Sequence, residues 1–219
     1  MPSNIFSFLK FNHMQRTLYQ LCVFMMFLGL GLYSSGCVAP YGFQTGRAMG
    51  RGNGEVSFEL SIINLGGASV PSPNIAGRIG LTDKMDVGLV MGASSFPYAY
   101  TRYQVVGDLY SPVALSLGAG IGYIGGFSNI SISNFNGGYA HFPLYFSLHS
   151  NDFAWYLTPQ YSFFFSSLGN TSLFSGSTGI EYSVSKRIAL GLNLGLSRNF
   201  NSNVSVFTAG LGLKFHFGN

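Results

Sequence analysis

The chain has 219 residues, of which 8% are charged and 16% aromatic, with a formal net charge of +4. A soluble domain carries roughly 25% charged residues, so this composition makes a poor water-facing surface. If a leader containing Lys10 and Arg16 is removed, the 11 basic residues fall to nine against 7 acidic, a net of +2 that is too weak to imply nucleic acid.

Lys10 and Arg16 precede an apolar run from Leu18 to Leu32, then Tyr33-Ser34-Ser35-Gly36-Cys37. A basic start, an apolar core and small residues read as an export signal over residues 1–36, with Met14 as an alternative start. The small residues before Cys37 resemble a lipoprotein signal, in which the cysteine is acylated and becomes the first residue. Ser34 stands where that pattern usually has leucine. Cys22 lies in the run that export removes, so Cys37 is left with no disulfide partner. Acylation of Cys37 is expected; a free cysteine beside an ordinary cleavage site is the other reading.

Residues 38–53 contain Pro40, Arg47, Arg51 and several glycines and show little alternation. Residues 37–53 are therefore expected to form a solvated tether, with Arg47 and Arg51 near anionic headgroups as the alternative. From residue 54 onward apolar and small or polar residues alternate to the end. Extended chains place successive side chains on opposite faces, so this period of two marks strands.

The first strand sets Val56, Phe58, Leu60 and Ile62 against Glu55, Ser57, Glu59 and Ser61. A loop with Gly66, Gly67, Pro71 and Pro73 is expected next. The second strand sets Ile75, Gly77, Ile79 and Leu81 against Ala76, Arg78, Gly80 and Thr82. A tight polar turn through Asp83-Lys84 leads to the third, with Met85, Val87, Leu89 and Met91 on one face. The fourth is expected near Arg102 to Tyr110. The fifth sets Val113, Leu115, Leu117, Ala119, Ile121 and Tyr123 against Ala114, Ser116 and three glycines. A long Gly/Ser/Asn loop over 124–137 follows.

The sixth strand sets Phe142, Leu144, Phe146 and Leu148 against Tyr139, His141, Tyr145 and His149. After a turn at Ser150-Asn151-Asp152, the seventh sets Phe153, Trp155, Leu157, Tyr161 and Phe163 against Tyr156, Thr158, Gln160 and Ser162. The eighth runs near Phe174 to Val184, with Glu181 on its polar face. The ninth sets Ile188, Leu190, Leu192, Leu194 and Leu196 against Ala189, Gly191, Asn193 and Gly195. The tenth sets Phe207, Ala209, Leu211, Leu213, Phe215 and Phe217 against Thr208, Gly210, Gly212, Lys214 and His216.

No stretch after residue 36 holds ~18 consecutive apolar residues, the length of a membrane helix. Lipid cannot satisfy an open sheet edge, which leaves a closed barrel as the membrane solution. The last strand exceeds the ~9–11 residues that a tilted transmembrane strand needs. The expected fold is all-β, a closed antiparallel up-and-down transmembrane β-barrel over 54–219, with about ten strands and eight or twelve as alternatives. Joints after even-numbered strands are expected to be short and the others longer, which puts both chain ends on the periplasmic side. Aromatics beside the turns and beside the loops fit two interfacial belts. Inward glycines are expected to relieve crowding in a narrow barrel.

Glu55, Glu59, Arg78, Asp108, Glu181 and Lys214 are expected to face inward. Buried charges must pair, so an ion network is expected to link Glu59 with Arg78, and Lys214 with Glu55 or Glu59. It serves structure, or selectivity in a small pore. His141, His149 and His216 admit an enzyme reading, but no Gly-x-Ser-x-Gly, metal-spaced cluster or phosphate loop accompanies them. No enzymatic activity, metal or cofactor is expected.

The signal, the alternating strands, the turn Leu81-Thr82-Asp83-Lys84-Met85-Asp86 and the phenylalanine-ended last strand together resemble small bacterial outer-membrane β-barrel proteins. The resemblance covers about Glu55 to Phe217. It implies outer-membrane lipid as the surroundings, and Leu211, Leu213, Phe215 and Phe217 as the signal read by the barrel insertion machinery; Gly218-Asn219 follow the usual terminal aromatic. The expected role is structural, surface-interacting or that of a narrow pore. The alternatives are a lipid-anchored soluble sandwich or lipocalin-like cup for a small apolar ligand and, further off, a membrane-embedded hydrolase.

Overall fold

The computed structural model describes residues 43–65, 68–92, 97–124, 137–166, 169–199 and 205–218. The signal segment, Cys37 and most of the 124–137 loop lie outside the described residues. Ten strands follow in chain order: β1 (Gly54–Leu65), β2 (Ala68–Gly80), β3 (Met85–Gly92), β4 (Tyr98–Val106), β5 (Val113–Ile124), β6 (Gly137–Ser150), β7 (Phe153–Ser166), β8 (Gly169–Ser185), β9 (Ile188–Asn199) and β10 (Ser205–Phe217). Each pairs antiparallel with its neighbours, and β10 closes on β1 with Gly54 opposite Phe217 and Leu60 opposite Leu211. The chain is a closed ten-stranded antiparallel barrel.

The period of two decides what each face meets. On β9, Leu190, Leu192, Leu194 and Leu196 are about half exposed, while Ala189, Gly191, Asn193 and Ser197 between them are buried. On β1, Leu60 and Ile62 point out and Glu55, Ser57, Glu59 and Ser61 point in. A water-soluble cup requires the reverse. An apolar outer wall around a polar interior is stable only in hydrocarbon, where burying leucine outward costs nothing and every backbone group needs a partner. Rings border the wall: Tyr103, Phe153, Tyr182 and Phe217 at the end where β1 begins and β10 finishes, and Tyr123, Phe165, Phe174 and Phe207 toward the other.

Two expectations need correction. Pro71 and Pro73 belong to β2, opposite Ile62 and Leu60, and not to a loop. The ladder between β2 and β3 spans only Asn74 to Gly80 on β2. Among the described residues both prolines are paired on the β1 side alone, a place that tolerates a missing N–H. This lengthens the first hairpin and weakens the sorting of joints by length. Connections 66–67 and 167–168 are as short as 151–152 and 186–187.

Inside, aromatic rings lie over glycines directly opposite on the next strand. Tyr100 covers Gly88, Tyr139 covers Gly122 and Tyr156 covers Gly179. Such pairs let a large inward side chain lie flat against its neighbour in a narrow barrel. The inward glycines are thus seats for rings as well as relief from crowding.

Candidate functional site: the occupied lumen

Residues 43–53 do not form a solvated tether. They lie in the barrel at the end where β1 begins and β10 finishes. Gly50 and Gly52 both have left-handed backbone, φ 79° and 78°, and turn the chain from the lumen into β1. Gly52 and Asn53 exchange backbone hydrogen bonds with Gly80, Gly52 N to Gly80 O at 3.0 Å and Gly80 N to Asn53 O at 2.8 Å. Phe43, Gln44, Thr45 and Ala48 are buried.

A buried irregular segment must satisfy its own backbone, and here lumen side chains do it. Gly46 N donates to Ser147 Oγ at 2.9 Å, and Ser116 Oγ donates to Gly46 O at 2.5 Å. Ala48 N donates to Gln104 Oε1 at 2.7 Å and Met49 N to Asp86 Oδ1 at 3.0 Å. Arg102 donates to the carbonyls of Thr45 and Arg47. Gln44 reaches Tyr100 Oη at 3.0 Å. Residues of β3, β4, β5 and β6 thus hold one short peptide mainly by its main chain.

Phe43 is the segment's side-chain anchor. Its ring occupies the space above Gly191 and Gly212, where a Cβ on either glycine would overlap it. Lys214 Nζ lies 4.4 Å from the ring centroid, a cation–π contact, and Tyr156 tilts against it at 6.4 Å.

The charges form two linked groups. Arg78 pairs with Glu55 at 3.0 Å and approaches Asp86 at 3.8 Å. Asp86 also pairs with Arg102, directly opposite on β4, and both are fully buried. Lys214 pairs with Glu181 at 2.7 Å and lies 3.9 Å from Glu55. Glu55 thereby joins the groups, with His216 Nδ1 3.7 Å away. Pairing of this density is what desolvated charges require.

The expected ion network is therefore differently wired. Glu55, Arg78 and Lys214 converge, but Glu59 accepts from Ser61 at 2.6 Å and from Asn193, further along the lumen. Asp108 lies in the exposed turn after β4, where hydrogen bonds from Tyr110 N and Ser111 hold its carboxyl below the usual range. Asp86 and Arg102 were absent from the expected set. Strict alternation with outward Met85, Val87 and Tyr103 is the signal that places both inward.

His141 lies apart from His149 and His216, which line one vestibule. His141 is buried against Tyr98, ring centroids 4.4 Å apart, with Tyr139 at 6.1 Å. His149 Nε2 lies 2.7 Å from Ser147 Oγ, and His216 sits by Glu55. Ser147 and His149 thus form a hydroxyl–imidazole pair, and Glu181 lines the same vestibule as His149. Leu211 and Phe217 point outward on β10, and Phe215 packs edge-on against Phe58 across the closing seam, at 6.2 Å. A polar vestibule of about 430 Å³ remains beside the segment, lined by Arg47, Glu55, Arg78, His149, Glu181 and His216 among others.

No family model and no curated protein matches this chain. Solved structures are similar to it in fold. The N-terminal β-barrel domain of Pseudomonas aeruginosa OprF is 13% identical, with 77% of this chain and 99% of that one covered and a TM-score of 0.33. The NanC porin is 10% identical over 73% and 98%, TM-score 0.47. The outer membrane protease OmpT from Escherichia coli is 13% identical over 75% and 96%, TM-score 0.43.

Proposed function

We propose that this chain is a barrel of the bacterial outer membrane that serves a structural or surface-presenting role with its lumen closed. The observation that carries this is the occupied interior: residues 43–53 held by side chains from four strands, with ion pairs packed around them. The apolar outer wall supports insertion in lipid, and the outward residues Leu211, Leu213, Phe215 and Phe217 at the seam supply the surface that the insertion machinery reads. Export by the segment 1–36 and a lipid on Cys37 complete the reading, and no enzymatic role is assigned.

Planar-bilayer recording on the purified full-length protein tests the closed lumen. A silent trace is expected; steady conductance would overturn it. Intact mass of the exported protein tests the anchor. A diacyl- or triacyl-glyceryl mass on Cys37, lost in Cys37→Ser, is expected, and a free thiol would remove that part alone.

A further inference from the structure

The 7 acidic residues of the chain are unevenly placed along the barrel. From Glu55 on β1 to Glu181 on β8 they lie in the joints and strand ends at the side where β1 begins, with Glu59 midway, opposite Gly212. The strand ends at the other side, and the stretches 66–67, 93–96, 125–136, 167–168 and 200–204 between them, contain no acidic residue; residues 1–42 contain none either. That side is built from serine, asparagine, glycine and apolar residues, and its single charged residue is Arg198.

Arg198 is exposed on the outward face of β9, at the head of the column Leu190, Leu192, Leu194 and Leu196. Ile188 starts the same column at the opposite end of β9. Ten residues of antiparallel strand span about 34 Å. At the usual 35–45° tilt this is roughly 25 Å along the membrane normal, the height of an apolar band. The guanidinium therefore stands where hydrocarbon gives way to headgroups. Directly opposite it are Phe174 on β8 and Ser205 on β10. Ser172, next along the outward face of β8, lies opposite the outward Phe163.

Hydration does not account for a cation here, since neutral serine and asparagine serve the rest of this side. No carboxylate of the chain accounts for it either, because all of them lie at the other end or midway. The anion abundant at that depth is lipid phosphate. A guanidinium fork matches phosphate oxygens two at a time, and the hydroxyls of Ser205 and Ser172 can bond an adjoining sugar.

We infer that Arg198, with Ser205 and Ser172, docks the phosphate and adjoining sugar of a phosphorylated glycolipid in the outer leaflet, whose acyl chains lie along the leucine column of β9. This rests on the outer-membrane reading, with the end where β1 begins facing the periplasm.

The test uses the purified full-length protein in micelles, checked for heat-modifiable migration, with lipid binding read by native mass spectrometry. The probes are bisphosphorylated lipid A, the same lipid with its phosphates removed, and phosphatidylglycerol. Wild type is expected to hold lipid A about tenfold more tightly than either of the others, the scale of one charge-assisted hydrogen-bond pair. Arg198→Gln is expected to erase that preference, and Arg198→Lys, which keeps the charge without the fork, to restore part of it. Arg187→Gln, at the opposite end of β9, is expected to leave it unchanged. Lipid A binding that survives Arg198→Gln, or that ignores the phosphates, would overturn the site. Equal binding of phosphatidylglycerol would overturn the glycolipid, and loss of the preference in excess inorganic phosphate would overturn a lipid ligand. A wild type without heat-modifiable migration would instead remove the outer-membrane reading.

Discussion

The ring of Phe43 fills the space that a side chain at Gly191 would need. One residue precedes β1 and the other sits on β9, so this contact ties the lumen segment to the ninth strand. It also makes Gly191 a site where size, not backbone freedom, matters. Gly191→Leu is expected to expel Phe43 while the outward leucines of β9 keep their places. Trypsin checks this: cleavage after Arg47, slow in the wild type because Ala48 is buried, becomes fast in the variant.

Asp86 and Arg102 face each other across β3 and β4 with no exposure to solvent. Arg102→Met strands the Asp86 carboxylate and two carbonyls of the lumen segment. A cost of about 3–5 kcal/mol is expected from leaving a buried charge unpaired. The double variant Asp86→Leu with Arg102→Met is expected to recover part of it. Denaturant unfolding in micelles measures both, and equal destabilisation of single and double variants would count against the pairing.

Lys214 serves two groups at once, Glu181 at 2.7 Å and the ring of Phe43 at 4.4 Å. Lys214→Met is expected to destabilise by about 3 kcal/mol through the stranded Glu181. It should also loosen the segment, seen as faster trypsin cleavage after Arg47. Lys214→Arg, which keeps the charge, is expected to restore protection in part.

The outer wall gives the opposite sign. Leu192 is about half exposed in the middle of β9. Leu192→Arg is expected to cost about 2–4 kcal/mol in a bilayer, the range for a cation at mid-membrane depth. A neutral or stabilising result would place that face in water.

The barrel was legible because an extended chain repeats every two residues, and a wall between lipid and a polar lumen writes that period plainly, as on β9 and β10. The extent of β2 was less so, since Pro71 and Pro73 argue for a loop until their pairing with Ile62 and Leu60 is known. The wiring of the charges was hidden for another reason. Glu55 and Glu59 share a face of β1, and only the register and barrel curvature decide that Arg78 reaches Glu55. The lumen segment left least trace. Its backbone is held by side chains of residues 37 to 101 positions away, and its sequence has no period to reveal a partner.

Amide hydrogen exchange in the micelle-bound full-length protein reads the occupied lumen most directly. The amides of Gly46, Ala48 and Met49 donate to Ser147, Gln104 and Asp86. They are expected to exchange about a thousandfold more slowly than in a free peptide, the factor given by roughly 4 kcal/mol of opening free energy. Exchange at free-peptide rates, with the strand amides still protected, would contradict a lumen filled by this segment.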